Sequence, residues 1–137
     1  KYKTLNGIVK WVGIIPPVAN KVMHIMFAES WLEDKANQSA IKRWKKELMG
    51  NRKSITGPVE GVIYRKGVEE ELGRIGCPTL VIVGDEDVAT KPEKAKVIQM
   101  GIPGARLHVI PGAGHSSCIE KPVIVSQLLK DWLQARS

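Results

Sequence analysis

The sequence predicts an α/β protein, with a helical region over residues 1–73 and a β-α-β-α unit with a short parallel sheet over residues 74–137. Three observations carry that expectation. Helical apolar spacing recurs in short pieces up to about Gly73; an unbroken apolar run, Leu80-Val-Ile-Val83, follows; and a second run, Arg106-Leu-His-Val-Ile110, stands beyond a helix-like stretch. The interval between the two runs is long enough for a crossover helix, so the strands can lie parallel.

In the first region Gly13, Pro16-Pro17, Gly50 and Gly57-Pro58 separate the helical pieces. Val18, Val22, Ile25 and Met26 make one apolar stripe with Phe27 at its edge, and Ile41, Trp44 and Leu48 make another. Met23, Met26, Met49 and Trp11 are expected to pad these helix faces. His24 lies within the first stripe and reads as a packed or partly exposed helix histidine, not a catalytic one.

After Gly76 the texture changes. Cys77-Pro-Thr leads into the first strand, about 79–83, which reads as covered on both faces, as in parallel sheets. Gly84-Asp-Glu-Asp87 is a polar loop, and Thr90-Lys-Pro-Glu93 offers an N-cap candidate, an early proline and a capping-box Glu for a helix over about 91–100, ended by Gly101. The second strand, 106–110, reads as covered in the same way, with His108 packing or facing a helix. A closing helix from about Pro122 carries Val125, Leu128, Leu129, Trp132 and Leu133 on one broad face. There is no internal repeat and no low-complexity segment.

Composition narrows the class. With 137 residues, 43% apolar and 26% charged, the chain matches a globular domain that needs neither disulfides nor a structural metal. No apolar run approaches the ~18 residues of a membrane helix. Lys1 and Lys3 before an apolar stretch imitate a signal peptide, but Pro16-Pro17 break it and no small-x-small site follows, so a cytoplasmic protein is expected. Cys77 and Cys118 lack any metal or redox spacing and read as buried thiols. The formal charge of +7 is uneven: residues 1–76 carry 14 basic and 8 acidic side chains, residues 77–137 carry 7 and 6. The densest cluster, Lys42-Arg43 and Lys45-Lys46, falls on the solvent side of its helix; with no recognition motif beside it, nucleic acid is not an expected partner.

The chemistry concentrates in two polar loops that each follow a buried-strand pattern, where open α/β sheets place their sites. The first offers Asp85, Glu86 and Asp87; the second is Pro111-Gly-Ala-Gly-His115. A carboxylate and a histidine on neighbouring strand ends can meet. The carboxylate then fixes the imidazole tautomer and stabilises its cation, while the ring takes a proton from a nucleophile. Asp85 and Asp87 could also simply cap their loop, and Ser116 and Ser117 read as loop or helix-start residues.

Over about Arg74–Leu133 the sequence resembles the C-terminal portion of the α/β-hydrolase fold. The matching blocks are Cys77-Pro-Thr-Leu-Val-Ile-Val-Gly-Asp-Glu-Asp87, Ile102-Pro-Gly-Ala-Arg106, Ile110-Pro-Gly-Ala-Gly-His115 and Glu120-Lys-Pro122, in the family's order. The resemblance implies that Asp87 is the triad acid and His115 the triad base, with Asp87 and not Asp85 reaching the imidazole. It implies that residues 1–73 occupy the position of the helical cap, or lid, making this a partial α/β-hydrolase fold. The family's Gly-x-Ser-x-Gly nucleophile elbow is absent: none of Ser30, Ser39, Ser54, Ser116, Ser117, Ser126 or Ser137 has Gly at both −2 and +2, and neither cysteine is so flanked.

The expectation is therefore the second half of an esterase- or lactonase-like hydrolase, inactive by itself. Its partners would be a small ester or lactone substrate and either an N-terminal hydrolase half or a second copy of the chain. Enol-lactonase, carbon–carbon hydrolase, dehalogenase and haloperoxidase-like chemistry stay open. No metal or organic cofactor is implied, and no membrane. The rival reading is a non-catalytic module that binds or oligomerises, with Asp87 and His115 as relics.

Overall fold

Prolines and glycines set the helix boundaries of the first region. In the computed structural model, which describes residues 2–51 and 53–135, helix α1 (Tyr2–Val12) is closed by Gly13, whose N–H donates to the Val9 carbonyl at 2.8 Å. Lys1 and Ser137, named above, lie outside the described residues. Pro16 opens α2 (Pro16–Met26); α3 (Glu29–Glu33), α4 (Gln38–Met49) and α5 (Thr56–Tyr64) follow. Gly57-Pro58 is not a break between helices. It sits in the first turn of α5, where the missing proline N–H has no intrahelical partner to lose.

The chain divides into two compact units, one of residues up to His24 with Asp34–Gly67, the other of Ile25–Glu33 with Val68 onward. Both the short segment Ile25–Glu33 and residues 68–73 belong to the second unit. In the first unit α1 packs against α5, and the buried Asn6 donates from Nδ2 to the Thr56 carbonyl at 3.3 Å. The apolar stripe of α2 is turned from the expected one: Val18, Ala19 and Met23 are buried, whereas Val22 and Met26 are only half-buried. Trp11 is 82% exposed and pads nothing. No residue of α4 is buried, so Ile41, Trp44 and Leu48 are half-covered, with Lys42, Arg43 and Lys46 in solvent.

In the second unit β1 (Leu80–Gly84) and β2 (Arg106–Ile110) pair in parallel across α6 (Pro92–Gly101), in the register Leu80↔Arg106 to Gly84↔Ile110. Helices α7 (Ser117–Glu120) and α8 (Pro122–Gln134) complete it. The strands are less covered than their apolar runs suggest. Only Val83 and Gly84 of β1 and Ile110 of β2 are buried, while His108 and Val109 are exposed. An apolar run reports that a strand can be covered, not that its cover is present. Both cysteines are likewise exposed, Cys77 in the turn before β1 and Cys118 on the short α7. Among the described residues no helix is long and apolar enough to cross a membrane.

Two glycines let the loops close over the strand ends. A Cβ on Gly84 would lie 2.0 Å from the Ala113 carbonyl oxygen, and one on Gly114 would lie 2.4 Å from the Ala28 nitrogen. Backbone is on both sides of each contact, so no side chain can swing aside. Gly84→Ala is expected to cost about 3 kcal/mol or more of unfolding free energy. Gly61→Ala, inside α5 with nothing within 4 Å of the added methyl, is expected to stabilise by up to about 1 kcal/mol. Denaturant titration of the two variants checks both signs.

Candidate active site

The parallel register ends both strands level, so the loops leaving Gly84 and Ile110 run side by side. Three hydrogen bonds lace them together. The Asp85 N–H donates to the Ile110 carbonyl at 3.1 Å, the Glu86 N–H to the Ala113 carbonyl at 3.0 Å, and the Gly112 N–H to Asp85 Oδ1 at 2.7 Å. Gly112 turns with φ +61°, a conformation that L side chains rarely adopt. The chain then passes Gly114 and presents His115.

Asp87 and His115 meet. His115 Nδ1 lies 2.9 Å from Asp87 Oδ2; the carboxylate side chain is 5% exposed and the imidazole 38%. Asp87 Oδ1 accepts the Ala89 and Thr90 N–H groups, both at 2.8 Å, and Oδ2 also accepts the Thr90 hydroxyl at 3.0 Å. Capping its loop and holding the histidine, weighed above as alternatives, are thus done together. Asp85 is engaged by Gly112, and Glu86 turns to Ser30, accepting its hydroxyl at 2.6 Å and its N–H at 3.2 Å.

Burial raises the Asp87 pKa, but the Thr90 amide, the His115 ring and the Thr90 hydroxyl outweigh it and hold the carboxyl below its ordinary 3.8. The couple lines a cleft of about 220 Å³ with Val81, Val83, Lys94 and Ser117. A neutral ring with its Nδ1 proton facing a carboxylate leaves the Nε2 lone pair to accept a proton. That is the chemistry of a general base.

Three contributors escaped the sequence reading. Thr90 does not cap α6: Lys91 holds that position without a side-chain cap, and the Thr90 hydroxyl is spent on Asp87 and lies 2.9 Å from His115 Nδ1. The signal was there, since an Asp whose carboxylate takes the N–H two and three residues on makes a recurrent turn. Glu120 is buried and accepts the Ala28 N–H at 2.8 Å and the Gly114 N–H at 3.0 Å, tying the histidine loop to Ile25–Glu33. The Ser116 N–H donates to the Met26 carbonyl at 2.8 Å, which fastens the residue after His115 to the same segment. No local pattern announces pairings across such sequence distances.

No protein-family model matches the chain. The chain is 32% identical over 111 residues to a proline iminopeptidase of Lactobacillus helveticus, covering 71% of this chain and 37% of that enzyme. Among solved structures it superimposes on a thermophilic esterase from Thermogutta terrifontis with a TM-score of 0.83 and 25% identity, over 98% of this chain and 48% of that one. On the enol-lactonase from Burkholderia xenovorans the TM-score is 0.87 with 21% identity, over 97% of this chain and 50% of that one. The chain has a partial α/β-hydrolase fold. It spans about half the length of the solved hydrolases and 37% of the iminopeptidase.

A pKa lower in the folded than in the unfolded protein means that ionised Asp87 stabilises the fold above its ordinary 3.8, and that this contribution is lost as the pH falls through the lower folded value. Asp87→Asn is expected to lose about 1–3 kcal/mol near neutral pH, because an amide cannot accept at all four positions. The gap between wild type and variant should close as the pH falls below 3.8. Denaturant titrations across that range read the effect.

Proposed function

We propose that the chain supplies the acid–base side of an α/β-hydrolase active site, with His115 as general base and Asp87 as its orienting carboxylate, for acyl hydrolysis of a small ester- or lactone-like substrate through a nucleophilic serine. The supporting observation is the 2.9 Å contact between His115 Nδ1 and the buried Asp87 carboxylate at the ends of two adjacent parallel strands. An esterase, an enol-lactonase and a proline iminopeptidase among the similar proteins point to the same reaction class. Ester, lactone and amide cleavage share one need: a base for the attacking hydroxyl and an acid for the leaving group.

The serine and its oxyanion donors belong to a Gly-x-Ser-x-Gly turn, and residues 1–137 contain none. In this reading they come from an N-terminal hydrolase half, which also pairs the free edge of β1. A second copy of the chain is the other candidate for that edge. In this reading residues 1–73 correspond by sequence position to the helical cap of such a hydrolase. A non-catalytic binding or oligomerising role, with Asp87 and His115 as relics, is the competing reading.

Fluorophosphonate labelling separates the two. The 137-residue chain by itself is expected to remain unlabelled. Joined to an N-terminal half with a serine elbow, it is expected to be labelled and to hydrolyse p-nitrophenyl esters, with His115→Ala lowering turnover by about 10⁶-fold and Asp87→Asn by about 10⁴-fold. Full turnover in His115→Ala sinks the proposal. Sedimentation at micromolar concentration tests the edge: the chain is expected to self-associate when alone and to form a one-to-one complex once the N-terminal half is present.

A further inference from the structure

Thr90 lies three residues beyond Asp87, at the end of the first loop, and its hydroxyl forms a triangle with the two groups of the proposed acid–base couple. Its oxygen is 3.0 Å from Asp87 Oδ2 and 2.9 Å from His115 Nδ1, and those two atoms are themselves 2.9 Å apart. We propose that Thr90 is a positioning residue of this site, whose hydroxyl fixes the Asp87 carboxylate and the His115 ring in one mutual geometry.

Counting protons and lone pairs decides how the triangle is wired. An ionised carboxylate oxygen can only accept, a hydroxyl has one proton to give, and Nδ1 either donates or accepts according to the tautomer. If Nδ1 were bare, its lone pair would face the Asp87 oxygen at 2.9 Å with no proton between them. That arrangement is repulsive. The alternative satisfies every atom: the Thr90 hydroxyl donates to Asp87 Oδ2, and the Nδ1 proton is shared between that carboxylate oxygen and the back of the Thr90 oxygen. Thr90 therefore gives one hydrogen bond and receives part of another.

The remaining carboxylate oxygen is filled from the backbone. Asp87 Oδ1 takes the N–H groups of Ala89 and Thr90 itself, so Thr90 grips both oxygens, one through its amide and one through its side chain. A carboxylate held at both ends cannot rotate about its last bond, and the ring it faces inherits that fixity. The helix start does not explain the side chain, because Lys91 is the N-cap residue of α6 and no side chain caps it.

This inference rests on the Asp87–His115 reading above. Three forms of the ¹⁵N-labelled 137-residue chain test it: wild type, Thr90→Val, which keeps the shape and removes the hydroxyl, and Thr90→Ser, which keeps the hydroxyl. The wild-type chain is expected to show an imidazole Nδ1 proton protected from exchange with water. In Thr90→Val that proton should exchange about tenfold faster, the equivalent of one ordinary hydrogen bond. The Asp87 carboxyl should also titrate at higher pH, since one of the groups that hold it low is gone. Thr90→Ser should restore both.

A residue that merely started α6 would shift the melting temperature in Thr90→Val and leave the proton and the titration where they were; that result overturns the proposal. So does a wild-type ring without the protected proton. If Thr90→Val does not fold, Thr90→Ala, which removes the hydroxyl together with the γ-methyl, takes its place with the same expected directions. The catalytic reading is tested separately by turnover in the joined protein. His115→Ala with intact turnover would remove that reading without touching the triangle, which the proton reports directly.

Discussion

The site hangs on a close approach of backbone to backbone. Gly84, at the end of β1, lies so near the Ala113 carbonyl that no Cβ fits between them, and the Glu86 N–H donates to that same carbonyl at 3.0 Å. This contact draws the loop after β2 over the loop after β1. Together with the Asp85–Ile110 and Gly112–Asp85 hydrogen bonds it brings the Asp87 and His115 side chains, 28 residues apart in sequence, into contact. The level ending of the strands is necessary for the meeting but not sufficient. The missing side chain at position 84 supplies the remainder.

The same loops show how a run of acids avoids becoming a liability. Three consecutive carboxylates, Asp85, Glu86 and Asp87, would repel one another if they faced the same way. Each is sent to different donors: Asp85 to the Gly112 amide, Glu86 to the Ser30 amide and hydroxyl, Asp87 to Ala89, Thr90 and His115. Glu120 repeats the device inside the fold, where its buried carboxylate joins the amides of Ala28 and Gly114. Hydrogen bonds from N–H groups are what make a buried carboxylate tolerable, because they replace the water it has lost. Four acids thus act as staples between segments far apart in sequence, and the histidine loop is held from three sides.

The parts of this arrangement that were legible in the sequence are those written locally. Leu80-Val-Ile-Val83 and Arg106-Leu-His-Val-Ile110 became strands because apolar runs of that length between turn residues have few other uses. The contact between Asp87 and His115 was expected from the two loops and from the family resemblance. Burial was read less well. Trp11 is exposed, both cysteines are exposed, and α4 buries nothing, since apolar character says what could be covered and is silent on whether a neighbour is there. Thr90 was misassigned because Ser and Thr before a helix usually cap it, and here a carboxylate three residues upstream competes for the same hydroxyl. Glu120 and Glu86 were opaque for a different reason: their partners lie 92 and 56 residues away, on a segment that carries no signature of its own.

The Asp87–His115 contact also lies within one unit. Every group that holds it, from Ala89 and Thr90 to Glu120, Ala28 and Ser30, lies in the segments Ile25–Glu33 and Val68 onward. In the proposed reading, holding the Asp87–His115 pair and building a nucleophile elbow are separate folding problems: the first requires two strand ends and a strap, the second a tight turn elsewhere in a sheet. Catalysis by a serine demands that the two meet within a hydrogen bond of each other. The buried carboxylate and the ring are held in contact by groups of that unit. In the proposed reading, such preorganisation lets His115 act as a base without waiting for its surroundings to reorganise around the charge it acquires.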